Sequence, residues 1–150
     1  MRTTLRAILP DIRGNAAVEF ALVAPMLAAA LVAMIDLGIG FYEKMEVENA
    51  AQAGAEYAIA KGWNAASVSN AVTASGTLAA ISATPAPTQS CGCASGTTVA
   101  AASCGSTCPS GAAAGTYVTV NAQAQYTTIL SYPHLASPMT LSAQSIVRIQ

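Results

Sequence analysis

Apolar residues crowd the first third of this chain and thin to every second position towards its end. Residues 20–41 are almost all apolar, interrupted by Asp36 near the outer end. At about 1.5 Å per residue this stretch reaches roughly 33 Å as a helix, enough to cross bilayer hydrocarbon. Beyond it Val47, Ala51, Ala55 and Ala58 recur at helical spacing, with Gly54 beside them. Asn49, Gln52 and Glu56 mark a polar face, and Lys44 with Glu48 forms an i,i+4 pair. The pattern predicts one helix from Asn15 to Lys61, first in the membrane and then exposed. Its stripe of small residues permits close approach to a sheet or another helix. Pro25 removes the hydrogen bond to the Ala21 carbonyl and is expected to kink the helix, which membrane spans tolerate. Gly62 is placed to end it.

Asn64 can cap a second helix over Ala65–Ala74, closed by Gly76. Residues 85–115 are rich in Pro, Gly and Ser, which predicts loop with a short strand at 97–101. Then the period falls to two. Val118, Val120, Ala122, Ala124 and Tyr126 alternate with Tyr117, Thr119, Asn121, Gln123 and Gln125, as in a half-buried strand. After Pro133 and Pro138 the alternation returns through Met139, Leu141, Ala143, Ser145, Val147 and Ile149. The expected fold is α+β: a long N-terminal transmembrane helix, then a small antiparallel sheet with disulfide-stapled loops. Three segments follow: a basic leader at 1–14, the transmembrane helix at 15–42, and an exported domain at 43–150.

Charge orients this arrangement. Arg2, Arg6 and Arg13 precede the apolar stretch against Asp11, with Glu19 at its edge, while Glu43, Glu46, Glu48 and Glu56 follow it with Lys44 and Lys61. The positive-inside rule keeps the N-terminus cytoplasmic and exports the rest. A formal net charge of −1 gives no electrostatic case for nucleic acid. A rival reading makes the apolar stretch a cleavable secretory signal, cut near Ala28-Ala29-Ala30, that releases a disulfide-rich binding or adhesin domain. The length of the stretch and the carboxylate at its cytoplasmic edge count against that reading.

The four cysteines, Cys91, Cys93, Cys104 and Cys108, share one short window. In an exported chain they are read as disulfides. The Cys-x-Cys opening is not the usual zinc spacing. Joining Cys91 to Cys93 would close a very tight ring. Two pairings stay open: Cys91–Cys104 with Cys93–Cys108, or Cys91–Cys108 with Cys93–Cys104.

Catalytic chemistry has little to work with. No Asp or Glu follows Glu56, so carboxylate pairs, side-chain calcium cages and Ser-His-Asp triads lack a member there. A thiol enzyme pairing one cysteine with His134 remains formally possible; His134 between Pro133 and Leu135 reads more simply as a turn residue. No motif for a phosphate, haem or redox cofactor stands in a suitable context. The chain is therefore read as a non-enzyme, with no cofactor and no small-molecule substrate. Glu19 is the ionisable group of interest. A carboxylate at the edge of a span marks its boundary, and it can also pair with an amine. Cleavage after Gly14 would free the amine of Asn15, four residues from Glu19 and so close to the same helix face.

The run Arg13-Gly14-Asn15-Ala16-Ala17-Val18-Glu19-Phe20-Ala21-Leu22-Val23-Ala24-Pro25 resembles the TadE/TadG-like proteins, minor pilins or pseudopilins of the tight-adherence (Flp) pilus system. Residues 48–55, Cys91-Gly92-Cys93 and the closing strand at 143–148 agree with it. The resemblance implies insertion in a bacterial inner membrane, cleavage between Gly14 and Asn15 by a prepilin peptidase, and recognition through Glu19 and Phe20. Its implied partners are the other Tad pilus subunits, the assembly proteins and membrane lipid. The exported domain would be periplasmic or carried into a pilus. A length of 150 residues favours the shorter, TadE-like type.

Overall fold

The computed structural model describes residues 14–77, 81–130 and 137–149. Leader residues 1–13, with their three arginines, lie outside them, as do Pro133 and His134. Helix α1 (Asn15–Lys61) and helix α2 (Ala65–Ala74) precede four strands: β1 (Thr88–Ser95), β2 (Thr98–Ala101), β3 (Gly115–Tyr126) and β4 (Met139–Arg148). The strands form one antiparallel sheet in the order β2-β1-β3-β4. The chain is α+β, as the pattern predicts.

Helix α1 is a single element with Pro25 inside it, ended by Gly62 at φ +84°. A positive φ suits glycine, and the Gly62 N–H donates to the Ala58 carbonyl. Only the C-terminal half of α1 packs on the sheet. There Val47, Ala50, Ala51, Gly54, Ala55 and Ala58 are buried, while Asn49, Gln52 and Glu56 face solvent. The small-residue stripe does both things expected of it. A Cβ placed on Gly54 would come within 2.6 Å of Val72 on α2 and 2.8 Å of Val120 on β3. Gly54 is the point where two helices and the sheet meet.

The Asn64 side chain caps α2 by accepting from the Ser67 N–H at 2.9 Å. At its other end the closing residue is Ser75, not Gly76. The Ser75 hydroxyl donates to the Val72 carbonyl at 2.8 Å, which serves a terminal acceptor without left-handed backbone. Val68 and Val72 are the buried face of α2.

In β3 the alternation holds from Val118 onward, with Val118, Val120, Ala122, Ala124 and Tyr126 buried; Tyr117, expected on the other face, is buried as well. The alternating five face α1 together with half-buried Leu141, Ala143 and Val147 of β4. The stretch read as loop at 85–115 is different. Apart from the short strand, found at Thr98–Ala101, it holds a full strand, β1, turned through Gly96 (φ +59°) into β2. The sequence of β1, Thr-Gln-Ser-Cys-Gly-Cys-Ala-Ser, has no apolar alternation. Its order comes from ladders to β2 and β3, which a single-strand pattern cannot show. β4 is an edge strand. Gln123 exchanges both backbone bonds with Ser82, so its partner Ser142 faces outward from the sheet. Lys44 Nζ donates to that outward Ser142 carbonyl at 2.5 Å and so blunts the edge.

Candidate processing site and membrane exit

The N-terminal end of α1 is open. Gly14 stands at the N-cap with no side-chain cap, and among the described residues beyond its chain neighbours and the helix backbone nothing lies within 4 Å of a Cβ built on it. Asn15 follows as the first helical residue. Its side-chain amide donates to the Glu19 carboxylate at 3.1 Å, so the i,i+4 relation expected of this pair is already made through the side chain. Phe20 is 70% exposed. The bond between Gly14 and Asn15 thus sits at a bare helix start, free of the folded domain.

From Asn15 to Ile35 no residue is buried, although Val18, Phe20, Leu22, Met26, Leu27, Leu31 and Met34 are large and apolar. An exposed apolar helical surface of this extent calls for a non-aqueous environment. α1 is long and apolar enough to cross a membrane, and none of its most apolar window is covered by the rest of the chain.

The helix meets the domain at Asp36. By position Asp36 reads as a residue at outer headgroup depth. In the fold it is a buried acceptor, 3% exposed. The Tyr126 hydroxyl at the end of β3 is bonded to both the Asp36 carbonyl, at 2.8 Å, and its carboxylate. The Ile129 N–H donates to the same carboxylate at 3.2 Å. A carboxylate within an apolar stretch is the signal that could have flagged this junction. Its partner, ninety positions away (|i−j| = 90), is not legible from the chain alone.

Nearly three turns further along α1, Glu46 accepts from Tyr42 at 2.9 Å and from Thr77 at 2.6 Å, tying the segment after α2 to α1. Neighbouring Glu43 titrates above the ordinary carboxylate range, first through desolvation and then through the charge of Glu46. A raised folded-state pKa means that the fold holds this proton more firmly than the unfolded chain does. Its favourable contribution is therefore complete in acid and is lost as pH rises through the folded value.

At the opposite end of the sheet the cysteines pair as Cys91–Cys104 and Cys93–Cys108, with Cα–Cα distances of 5.1 and 5.6 Å. Cys91 and Cys93 are two apart on β1 and share a face, so both bridges pull one loop onto that face. Cys91 lies opposite Thr116, far along β3 from Tyr126. Among the described residues no group of three His, Cys, Asp or Glu side chains is placed to hold a metal.

Residues 14–56 match the family described as TadE-like protein. That match begins at Gly14, covers the whole bare helix, passes Asp36 and ends within the packed half of α1. It is the family whose resemblance the run from Arg13 to Pro25 carries. No curated protein and no solved structure matches the chain.

Proposed function

We propose that this chain is a minor pilin or pseudopilin that supports assembly or anchoring of a Tad-type pilus. The observation that carries the reading is the coincidence of the TadE-like match with the bare part of α1. A segment that leaves its own domain exposed can serve a membrane first and a bundle of neighbouring helices later. In this reading a prepilin peptidase removes residues 1–14, residues 15–42 anchor the product in the inner membrane, and the remainder faces the periplasm. Glu19 and Phe20 then belong to the recognition and packing surface shared with other pilus subunits.

The test is the mass of the mature protein from cells with and without the peptidase. A peptidase-dependent start at Asn15 supports the reading. A start beyond Ala30 replaces it with a domain released by signal peptidase. The open surroundings of Gly14 sharpen a second arm. A Cβ added at Gly14 meets nothing within 4 Å among the described residues beyond its neighbours in the helix. Gly14→Leu is expected to stay full length because the peptidase, not the fold, requires a small residue there. Normal processing of Gly14→Leu would remove the assigned site.

A further inference from the structure

Where α1 leaves the sheet, the two elements enclose an apolar groove of about 410 Å³. Ala33, Asp36, Leu37, Gly40 and Phe41 line it from the helix, the Asp36 side chain turned to the Tyr126 hydroxyl, and Tyr126 and Leu141 line it from the sheet. Lys44 closes its outer end. The helical members recur at three- and four-residue spacing and so form one face, continuous with the bare apolar surface below. From this arrangement the geometry points to a binding site for one acyl chain of a zwitterionic phospholipid of the outer leaflet. The inference rests on the membrane-anchored reading above.

Depth is the first argument. About 30 Å of hydrocarbon takes up roughly 20 helical residues, so a span beginning at Phe20 ends near Ile39. Ala33 and Leu37 then lie at acyl depth, and Lys44 stands roughly 7 Å beyond the hydrocarbon edge, at the level of phosphates. The tip of the sheet reaches lower, to Asp36 about one turn inside that edge, where the Ile129 N–H meets the Asp36 carboxylate. Ile129 is 59% exposed and Leu130 38%, and Phe41 and Tyr42 on the helix are exposed as well. Aromatic and apolar side chains collect at this interface.

Size is the second argument. One turn of helix, about 10 Å across and 5.4 Å tall, fills on the order of 400 Å³. The groove would hold barely a single turn of a neighbouring helix, whereas a slender chain can lie along all of it. Charge at the mouth is the third. Lys44 Nζ is 3.2 Å from Glu48 Oε1, and both side chains are partly exposed. An ammonium has three donors; Ser142 and Glu48 take two, which leaves one for a phosphate oxygen. Glu48, and Glu43 one position before Lys44, disfavour an anionic headgroup and suit the ammonium of phosphatidylethanolamine.

The experiment uses the full chain in vesicles of phosphatidylethanolamine and phosphatidylglycerol. Either lipid carries a photoactivatable diazirine midway along one chain. Peptides containing Leu37, Phe41 and Leu141 should be labelled, more strongly by the phosphatidylethanolamine probe. Gly40→Leu and Ala33→Phe fill the groove from two ends. A Cβ at Gly40 would sit 3.4 Å from the Tyr126 ring, in contact without a backbone clash. Each variant should lose groove labelling several-fold while keeping both disulfides. Gly38→Leu points into open space and should keep it. Undiminished labelling in both filled variants overturns the site, as does a groove cross-link to a second copy in place of lipid. Equal labelling by the two probes overturns the headgroup assignment. Carbonate extraction of the same vesicles separates the premises: a chain that washes off refutes the anchor reading itself, whereas a retained but unlabelled chain refutes the groove alone.

Discussion

Two residues show how single atoms decide this fold. Gly54 is buried where α1 meets both Val72 and Val120, and an added methyl would stand closer to each than van der Waals contact allows. Ala is the better helix former, yet overpacking a tight core costs about 1–3 kcal/mol, so the steric term outweighs the propensity gain of roughly 1 kcal/mol. Gly54→Ala is expected to lower the thermal midpoint, followed in detergent through the emission of Trp63, the sole tryptophan. An unchanged or higher midpoint would mean that the two valines move aside freely. Tyr126 is the second. Its hydroxyl bonds Asp36 at the membrane exit, and leaving a buried acceptor without its donor costs about 1–3 kcal/mol. Tyr126→Phe keeps the ring and removes that bond. It should destabilise the domain by about that amount, and Asp36→Asn, which keeps an acceptor, by less. Equal effects from the two variants would show that charge, rather than the hydroxyl bond, holds the junction.

Among the elements, legibility in the sequence followed the period of the pattern. α1, α2, β3 and β4 each carry an amphipathic repeat or a cap, such as Asn64, that acts within a few residues. The strand β1 carries neither. Its Thr, Gln, Ser and Gly residues read as loop because what orders them is pairing with Gly115–Thr119 and Thr98–Ala101. The disulfide pairing was equally hidden, since both open arrangements close loops of similar length and the path of residues 102–114 decides between them. That path is set by local backbone bonds, among them Ala114 N–H to the Ser106 carbonyl and Cys108 N–H to the Ala112 carbonyl. The Cys93–Cys108 bridge, with a sequence separation of 15, is worth about 3 kcal/mol in the chain-entropy model. Replacing both cysteines by serine should cost roughly that much and expose residues 102–114 to protease. Far-ultraviolet dichroism should change little, because α1 packs on α2, β3 and β4, none of which the bridge joins. A large loss of helix would show that the staple supports the whole domain and not one pole of it.

At the scale of the whole molecule, α1 is one helix with two jobs divided at Asp36. The outer half is committed to its own sheet. The inner half is left bare, and its first turn holds the Asn15–Glu19 contact at 3.1 Å. Before cleavage that contact satisfies Glu19 with a neutral amide. Removal of residues 1–14 would place a charged amine on the same residue, where the carboxylate can offset it within the chain or across to a neighbouring helix. Two opposite charges about 4 Å apart attract by about 1 kcal/mol in water, and by several-fold more where packed helices exclude it. The value of Glu19 should therefore appear on assembly and not on insertion. Glu19→Gln keeps the shape and a hydrogen-bonding oxygen but leaves the amine without a counter-charge, which is costly once it is buried. On the proposed function, the variant is expected to insert and be cut at Gly14 at nearly the normal rate, yet to recover far less of the Tad pilus components in detergent pull-downs. Mature-form mass measured on the same extracts keeps the two steps apart. Unchanged partner recovery would make Glu19 a boundary charge at the end of the span, and accumulation of the uncut form would assign it to recognition by the peptidase.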